Sequence, residues 1–294
     1  MAADNLGNLP LIVIVGPTAS GKTSLAIDLA EAYGGEIICA DSRTIYRYMD
    51  IGTAKPTADE QARVPHWGID LADPGESFSA ADFKQYALQK INEIRARGHV
   101  PFLVGGTGLY IDSVVLDYNF GTKSDPVFRA KLEDQSLDEL YKYCYNNNMS
   151  LPENYKNKRY VIRAIEGHNS DKKRRLTPID NTIVVGIATD KVTLQMRIAQ
   201  RFEQMLENGV VEETTMLGKK YGWTVEAMKS NIYPLIRDYS DNKISIDNVR
   251  KAILTADWHL AKRQLTWLRR NKFTQWFDLE EARNYLSAQL AMHK

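Results

Sequence analysis

The octapeptide GPTASGKT at residues 16–23 has the clearest chemical meaning in this chain. It fits the P-loop pattern G-x-x-x-x-G-K-[ST], with the apolar run LIVIV before it and the helix-like stretch SLAIDLAEAYG after it. Backbone N–H groups and the helix N-terminus of such a loop bind phosphate oxygens. We expect Lys22 to reach the phosphates and the Thr23 hydroxyl to coordinate Mg²⁺. The pattern predicts a diphosphate or triphosphate site formed by Gly16, Pro17, Thr18, Ala19, Ser20, Gly21, Lys22 and Thr23.

Asp41 and Thr107 are further candidates, because both come directly after apolar, strand-like runs. Asp41 and Ser42 follow EIICA, and Thr107 follows VPFLVGG. Ligands of an open parallel sheet bind beyond the carboxyl ends of its strands, on the rim that also carries the P-loop. Asp41 is therefore placed to act as a general base or to hold Mg²⁺ through water, with a helix N-cap as the structural alternative. For Thr107, a turn or cap role and a substrate contact fit the spacing equally well.

The loop does not specify the fate of the bound phosphate. A kinase or NTPase requires a metal-binding carboxylate, usually after an apolar strand. The best strand candidate here ends in GGTGLY at 105–110 instead. Asp41 could fill that role, so the pattern alone leaves open a kinase, an NTPase and an enzyme in which the diphosphate is the leaving group.

Two basic stretches indicate a local site for a polyanion. Residues 156–175 hold eight Lys and Arg against two acids, and residues 250–275 hold seven against Asp257 alone. On a helix, WHLAKRQLTWLRRNK places Lys262, Thr266 and Arg269 on one row and Arg263, Trp267 and Arg270 on an adjoining row. Arg beside Trp suits phosphates and unstacked bases. The alternative is a solvated helix face with Trp267 in the core.

An α/β core has to position these residues. Continuous apolar runs predict buried parallel strands at 11–16, 36–40, 100–106 and 182–188. A helix is predicted over 79–97, with Ser79 and Asp82 as its capping box. Polar residues rich in Asn, Lys and Tyr interrupt this rhythm, and from Lys191 the chain is mostly helical. We therefore predict a P-loop core with a parallel sheet, divided as follows: core 1–118, helical insertion 119–180, and core with C-terminal helices 181–294.

Composition excludes several classes of protein. The 294 residues are 44% hydrophobic and 26% charged with a net charge of +1, which is typical of a globular domain rather than a membrane protein. Two cysteines, Cys39 and Cys144, do not make a disulfide framework. The five histidines lack the spacing of zinc ligands. With no signal-peptide pattern at the N-terminus, we expect a cytoplasmic enzyme.

Dispersed motifs make the chain resemble the bacterial tRNA dimethylallyltransferases (tRNA isopentenyltransferases). A P-loop alone is generic, whereas DIGTAKP together with GGTGLY and KRQLTWLR is highly specific. The motifs span most of the chain in the order of the family: GPTASGKTSLA (16–26), ADSRTIYRYMDIGTAKPT (40–57), PFLVGGTGLYI (101–111), RYVIRAIE (159–166), RIAQRFEQMLENGVVEE (197–213) and AKRQLTWLRR (261–270).

The resemblance implies a reaction in which no phosphoryl group moves. The P-loop holds dimethylallyl diphosphate, and N6 of adenosine 37 in tRNAs that read codons starting with U takes the prenyl group. Lys22, Thr23-bound Mg²⁺ and Arg201 or Arg197 would neutralise the leaving diphosphate, Asp41 would accept the N6 proton, and Thr107 would orient the base. The helical insertion would grip the anticodon stem-loop of a tRNA bound by a monomer. Implied tRNA contacts are Asp41, Ser42, Arg43, Thr44, Thr107, Arg159, Arg163, Lys262, Arg263, Gln264, Thr266, Trp267 and Arg269.

Departures from the family pattern concern tRNA preference rather than the reaction. Arg43 and Thr44 stand where many relatives carry other residues, and SNIYPLIRDY at 230–239 keeps only Tyr233 of a tRNA-contacting segment. Three other functions stay open: prenylation of free AMP, ADP or ATP, a P-loop kinase of small metabolites, and a non-catalytic RNA-binding module. A mononucleotide requires neither the insertion nor the basic helix, and an RNA-binding module would leave the P-loop without a purpose.

Overall fold

One parallel sheet carries the phosphate-binding loop. The computed structural model describes residues 9–121, 125–168 and 173–293, and its six strands lie in the order β3-β2-β4-β1-β5-β6. The strands are β1 (Leu11–Val15), β2 (Gly35–Cys39), β3 (His66–Trp67), β4 (Val100–Gly105), β5 (Thr182–Ile187) and β6 (Gln275–Phe277). Every pairing is parallel. The predicted α/β core with a parallel sheet is confirmed.

The four inner strands coincide with the apolar runs. All residues of β1, β2 and β4 are buried, so these strands have no solvent-facing side and need no alternation of polar residues. The sequence missed the two edge strands, β3 and β6. They have two and three residues, none of them fully buried, and such short elements leave no periodic signal.

Helices cover both faces of the sheet and extend the C-terminal part. They are α1 (Lys22–Tyr33), α2 (Ala58–Arg63), α3 (Ala80–Ala96), α4 (Gly108–Val115), α5 (Pro126–Asp134), α6 (Leu137–Asn146), α7 (Lys158–Glu166), α8 (Lys191–Glu207), α9 (Val210–Tyr221), α10 (Tyr233–Ser240), α11 (Ile246–Leu268) and α12 (Leu279–Ala291). Helix α3 begins after the predicted capping box of Ser79 and Asp82, in which each side chain accepts the backbone N–H of the other residue. The apolar faces of α1 and α12 pack against β1, β4 and β5 in one core cluster.

The chain divides into two compact units. The first contains the sheet and comprises the residues up to Val115 and from Thr177 onward; the second comprises Leu116–Leu176. The sequence placed an insertion at 119–180. Within the second unit, α5, α6 and α7 enclose a small core that includes Leu140 and Ile162. Helix α6 begins with a capping box between Ser136 and Glu139.

The strand order explains where a ligand can bind. From β1 the chain runs to β2 and β3 on one side, returns to β4 between β2 and β1, and then crosses to β5 on the other side. The connections after β1 and β4 therefore leave the sheet at its switch point, where open α/β sheets bind ligands. The P-loop follows β1, and Thr107 follows β4 by two residues.

Glu36 anchors the opposite, amino-terminal end of β2. Its buried carboxylate accepts hydrogen bonds from Trp67 Nε1 at 2.6 Å, from Arg97 Nε and Nη2 at 2.9 and 2.7 Å, and pairs with His99 Nδ1 at 2.7 Å. Burial alone would raise the pKa of this carboxyl, but the hydrogen bonds from Arg97, His99 and Trp67 hold it down at about 2. The cluster joins edge strand β3 and the end of α3 to the sheet.

We expect Glu36→Gln to lower the free energy of unfolding at pH 7 by about 2 kcal/mol, because an amide forms weaker hydrogen bonds with these donors. The carboxyl has a depressed pKa in the folded state, so its contribution is complete above about pH 4.5 and is lost as pH falls towards 2. Urea unfolding of both proteins at pH 7, 4 and 3 measures the difference. Exposed Glu31→Gln is the control, and a difference that does not shrink at pH 3 would refute this account.

Candidate active site

The P-loop leaves the N-terminus of α1 without a side-chain cap. Ala19 and Gly21 both have left-handed backbones, with φ of 63° and 89°. Gly21 occupies the N-cap position and makes no side-chain cap hydrogen bond. Any side chain there would also be crowded, because a Cβ on Gly21 would lie 2.9 Å from Leu279 Cδ1. Successive N–H groups in such a loop form an anion-binding nest at the positive end of the helix dipole.

Lys22 and Ser20 carry the polar atoms inside this loop. The Lys22 ammonium donates to the Pro17 carbonyl oxygen at 3.2 Å. Burial lowers the pKa of Lys22 to about 8; the Asp41 carboxylate counteracts this effect and the Arg201 charge adds to it. Ser20 Oγ is buried and has no hydrogen-bond partner among the described residues. The loop thus has cationic and uncompensated polar groups that suit a phosphate.

Two helices from the C-terminal half brace the loop. Arg197 on α8 donates from Nη1 to the Ser20 carbonyl oxygen at 3.1 Å, which places its guanidinium at the P-loop. Gln264 on α11 accepts the Thr18 N–H through Oε1 at 2.8 Å. Its amide also lies so close to Gly106 that a Cβ there would stand 2.4 Å from Gln264 Nε2. Gln264, an implied tRNA contact, therefore joins the P-loop to the end of β4.

The ends of β2 and β4 bring Asp41, Ser42 and Thr107 together. The Ser42 N–H donates to Thr107 Oγ1 at 3.0 Å, and the Thr107 N–H donates to the Ala40 carbonyl oxygen at 3.2 Å. Asp41 Oδ1 accepts the Arg43 N–H at 2.9 Å, and this is the only hydrogen bond of its carboxylate among the described residues. Asp41 therefore stabilises a turn rather than a helix N-terminus.

A cavity of about 890 Å³ connects these groups. Its polar lining includes Lys22, Thr23, Asp41, Thr107 and Arg201. Its apolar lining includes Cys39, Val104, Ile198, Phe202, Met205, Ile232, Ile253 and Leu260. An anionic group and a small hydrocarbon group could thus occupy the same cavity.

Arg43 and Thr44 form part of the turn beside Asp41. Thr44 is buried, and its hydroxyl donates to the Asp41 carbonyl oxygen at 3.4 Å. Arg43 donates from Nη1 to the Glu226 carbonyl oxygen at 3.1 Å. Thr44 also lines the cavity, so its implied tRNA contact stays a prediction.

Glu213 fixes the loop that forms another wall of the cavity. Its buried carboxylate accepts the N–H groups of Asp50, Ile51 and Gly52 at 2.7–2.8 Å and the Tyr233 hydroxyl at 2.8 Å. Tyr233 has no exposed surface. The tRNA contact that the resemblance implied for Tyr233 is therefore wrong, since the side chain supports the loop from inside the protein.

The basic face of α11 is exposed only in part. Lys262, Arg263, Thr266 and Arg269 are exposed, and Arg263 also lines the cavity. Trp267 is half-buried; its Nε1 donates to Asp112 Oδ2 at 2.7 Å and its ring lies against Gly108. Trp267 therefore attaches α11 to α4, and its implied tRNA contact stays a prediction.

Arg159 and Arg163 belong to the second compact unit, where both lie exposed on α7. Arg163 donates from Nη1 to Glu166 at 3.4 Å. The helix exposes Tyr160 beside Arg159 and buries Val161, Ile162 and Ile165.

The sequence did not identify Asp257 and Asn231 as site residues. Asp257 on α11 accepts Arg201 Nη2 at 2.7 Å through Oδ2 and Asn231 Nδ2 at 2.8 Å through Oδ1. All three residues line the cavity. A signal for Asp257 was present, because it is the one acid among seven basic residues at 250–275.

The oxygen donors that line the cavity fit Mg²⁺ better than a transition metal. Within the described ranges, no three His, Cys, Asp or Glu side chains form a metal-binding group. The Thr23 hydroxyl and the Asp41 carboxylate, which line the same cavity, are hard oxygen donors. Mg²⁺ typically keeps several waters and takes few protein ligands beside a substrate phosphate.

Known proteins are similar to this chain in sequence and in fold. A family model described as IPP transferase matches residues 44–271. A tRNA dimethylallyltransferase of Bacillus pumilus is 40% identical over 92% of this chain and 90% of the relative, and one of Bacillus mycoides is 39% identical with the same coverage. The chain belongs to the IPP transferase family.

A solved IPP transferase supports the same assignment. The crystal structure of a tRNA isopentenylpyrophosphate transferase from Bacillus halodurans is 34% identical, with a TM-score of 0.72 over 97% of both chains. The family assignment made from the motifs is confirmed. Among the residues that the structure describes, no helix has the length and apolar character to cross a membrane.

We expect the affinity for inorganic pyrophosphate to fall as pH rises through about 8, because Lys22 loses its proton there. Below that pH the amine is charged in the free protein and attracts the anion fully. Above it, the contribution of Lys22 should decline roughly tenfold per pH unit. Titration calorimetry of the wild type and Lys22→Met from pH 6.5 to 9.5 measures this contribution.

Lys22→Met also corrects for the titration of pyrophosphate itself, which both proteins experience equally. The ratio of the two dissociation constants should be largest near pH 6.5 and shrink above pH 8. A ratio that stays constant to pH 9.5 would show that the Lys22 pKa is not depressed.

Proposed function

We propose that this IPP transferase moves the dimethylallyl group of dimethylallyl diphosphate to N6 of adenosine 37 in tRNAs that read codons starting with U. The products are N6-isopentenyladenosine and pyrophosphate. The observation that carries the proposal is the single cavity shared by the P-loop, Asp41 and Thr107. Relatives that cover 92% of this chain are named tRNA dimethylallyltransferases, which supports this function over the alternatives.

The diphosphate is the leaving group in this reaction. As the C–O bond breaks, negative charge accumulates on the oxygen that stays with the diphosphate and the allyl carbon becomes cation-like. Lys22 and the uncapped N-terminus of α1 stabilise that charge, together with Arg201 in the cavity wall and Arg197 at the Ser20 carbonyl oxygen. Mg²⁺ held by the Thr23 hydroxyl would supply further charge neutralisation in the same cavity.

Asp41 acts as the general base. N6 of adenine is a weak nucleophile, so removal of its proton during attack promotes the reaction more than ground-state activation does. The one hydrogen bond to Oδ1 leaves Oδ2 able to accept the N6 hydrogen. Thr107 holds the Ser42 backbone and orients the adenine beside Asp41.

The acceptor adenine comes from an anticodon stem-loop. An adenine in a loop costs less to unstack than one in a duplex. Arg263 reaches the cavity from α11. Lys262 and Thr266 on the same helix, its C-cap residue Arg269, and Arg159 and Arg163 on α7 contact RNA phosphates. The chain acts as a monomer in the cytoplasm, and Ser42 and Arg43 contribute to the choice of tRNA.

The acceptor can be identified in one assay. Purified protein, Mg²⁺ and dimethylallyl diphosphate are incubated with an anticodon stem-loop that carries adenosines at positions 36 to 38, and in parallel with AMP and with ATP. Mass spectrometry detects the gain of one C₅H₈ unit. We expect the gain on the stem-loop alone. A gain on a mononucleotide would mean an adenylate prenyltransferase, and ATP turnover without prenylation would mean a kinase or NTPase.

We expect Asp41→Asn to lower kcat for the stem-loop by about 10²–10⁴-fold, the range for loss of a general base. Stem-loop binding should be nearly unchanged, because the base acts mainly in the transition state. Single-turnover kinetics measure the rate, and a binding titration measures the affinity. Asp59→Asn, an exposed acid on α2 outside the cavity, is the control. An unchanged rate for Asp41→Asn would exclude Asp41 as the base.

A further inference from the structure

Asp257 is a buried carboxylate in the wall of the cavity whose two oxygens serve two different donors. Oδ2 accepts Arg201 Nη2 at 2.7 Å, and Oδ1 accepts Asn231 Nδ2 at 2.8 Å. We propose that Asp257 is a positioning residue that fixes the guanidinium of Arg201 at the diphosphate end of the cavity. The inference rests on the proposed function, because it assigns Arg201 to the diphosphate.

Burial makes this carboxylate dependent on its partners. Its side chain is only 10% exposed, and an ionised carboxylate is stable in such a place only when it is paired and hydrogen-bonded. Arg201, which is 27% exposed, supplies the charge, and the Asn231 amide satisfies the second oxygen. Asp257 is also the only acid in the basic stretch 250–275. An acid without a specific partner would point into solvent. The inward position of Asp257 indicates a specific partner.

The pair leaves most of Arg201 available. A guanidinium has five N–H donors in a rigid fork, and among the described residues Arg201 uses only Nη2, on Asp257. Arg201 lines the same cavity as Lys22 of the P-loop, and its positive charge contributes to the lowered pKa of Lys22. The remaining donors are therefore fixed in direction without being occupied, which reduces the rotamer entropy that anion binding costs.

The positions of the two arginines on α8 also indicate that Arg201 is held in a fixed direction. Arg197 and Arg201 are four residues apart and therefore lie on one face of the helix. Arg197 is fixed by the Ser20 carbonyl oxygen of the P-loop, and Arg201 is fixed by Asp257 on α11. Each arginine of this face thus has one acceptor from another element that sets its direction.

A double-mutant cycle tests the proposal. Inorganic pyrophosphate affinity is measured for the wild type, Asp257→Asn, Arg201→Ala and the double variant at pH 7. When Arg201 is present, we expect Asp257→Asn to weaken pyrophosphate binding about tenfold. In the Arg201→Ala background the same substitution should have no effect, because Asp257 acts on the anion only through Arg201. Equal weakening in both backgrounds would overturn the proposal.

Further variants separate positioning from loss of structure. Asp257→Glu keeps the carboxylate and should restore at least part of the affinity. Asn231→Ala removes only the hydrogen bond to Asp257 Oδ1, so it should weaken pyrophosphate binding less than Asp257→Asn does. This effect should also require Arg201. If Asp257→Asn does not fold, a cycle of Asn231→Ala and Arg201→Ala replaces the first cycle. Val249→Ala is a core change two turns earlier on α11, outside the cavity, and should lower Tm without changing pyrophosphate affinity.

The stem-loop assay distinguishes failure of this inference from failure of the proposed function. For prenyl transfer, Asp257→Asn should raise KM for dimethylallyl diphosphate and lower kcat, with KM for the stem-loop unchanged. If the Asp257 and Arg201 substitutions are coupled in pyrophosphate affinity but the wild type transfers no prenyl group, the positioning of Arg201 stands and the proposed function is refuted. Prenyl transfer with independent effects of the two substitutions would refute the positioning alone.

Discussion

The active site depends on an N-terminus of α1 that no side chain of the protein caps. The turn from β1 into α1 uses left-handed conformations at Ala19 and Gly21, and Gly21 cannot supply a side-chain cap. The first N–H groups of a helix then need an external acceptor, and an anion satisfies both them and the helix dipole. Placement of β1 between β4 and β5 holds this N-terminus at the centre of the sheet edge.

Buried carboxylates join separate elements of the core, both around this site and at the opposite end of the sheet. Glu36 joins edge strand β3 to the start of β2, Glu213 fixes the loop at 50–52, and Asp257 joins α11 to α8. Each accepts hydrogen bonds from at least two other residues, so its desolvation is offset by specific donors rather than by water. Gln264 works in the same way with a neutral amide, since it connects α11 to Thr18 of the P-loop. The helix that bears the basic residues Lys262 and Arg263 is thus attached directly to the P-loop.

Short sequence patterns predicted the P-loop, the inner strands and the residues that follow those strands. The P-loop sequence determines its own conformation, and apolar runs identify the inner strands. The parallel-sheet rule then predicts that Asp41, Ser42 and Thr107 share an edge, as the Ser42–Thr107 hydrogen bond shows.

The remaining contacts could not be predicted in this way, because they join distant segments through helix packing. Gln264 bonds to Thr18 across 246 positions, and Trp267 bonds to Asp112 across 155. Basic and aromatic spacing on α11 therefore predicted an RNA surface but could not reveal that Trp267 has an internal partner. Tyr233 was misassigned for the same reason, since no periodic signal records its hydrogen bond to Glu213.

In the proposed reaction, the P-loop binds a diphosphate that departs by C–O cleavage instead of transferring phosphate. Dimethylallyl diphosphate labelled with ¹⁸O at the bridging C–O–P oxygen tests it directly, with the stem-loop as acceptor and mass spectrometry of all products. We predict that all of the label is found in pyrophosphate and that the prenylated stem-loop contains none. Label in dimethylallyl alcohol, or phosphate on the stem-loop, would mean P–O cleavage and would contradict the account.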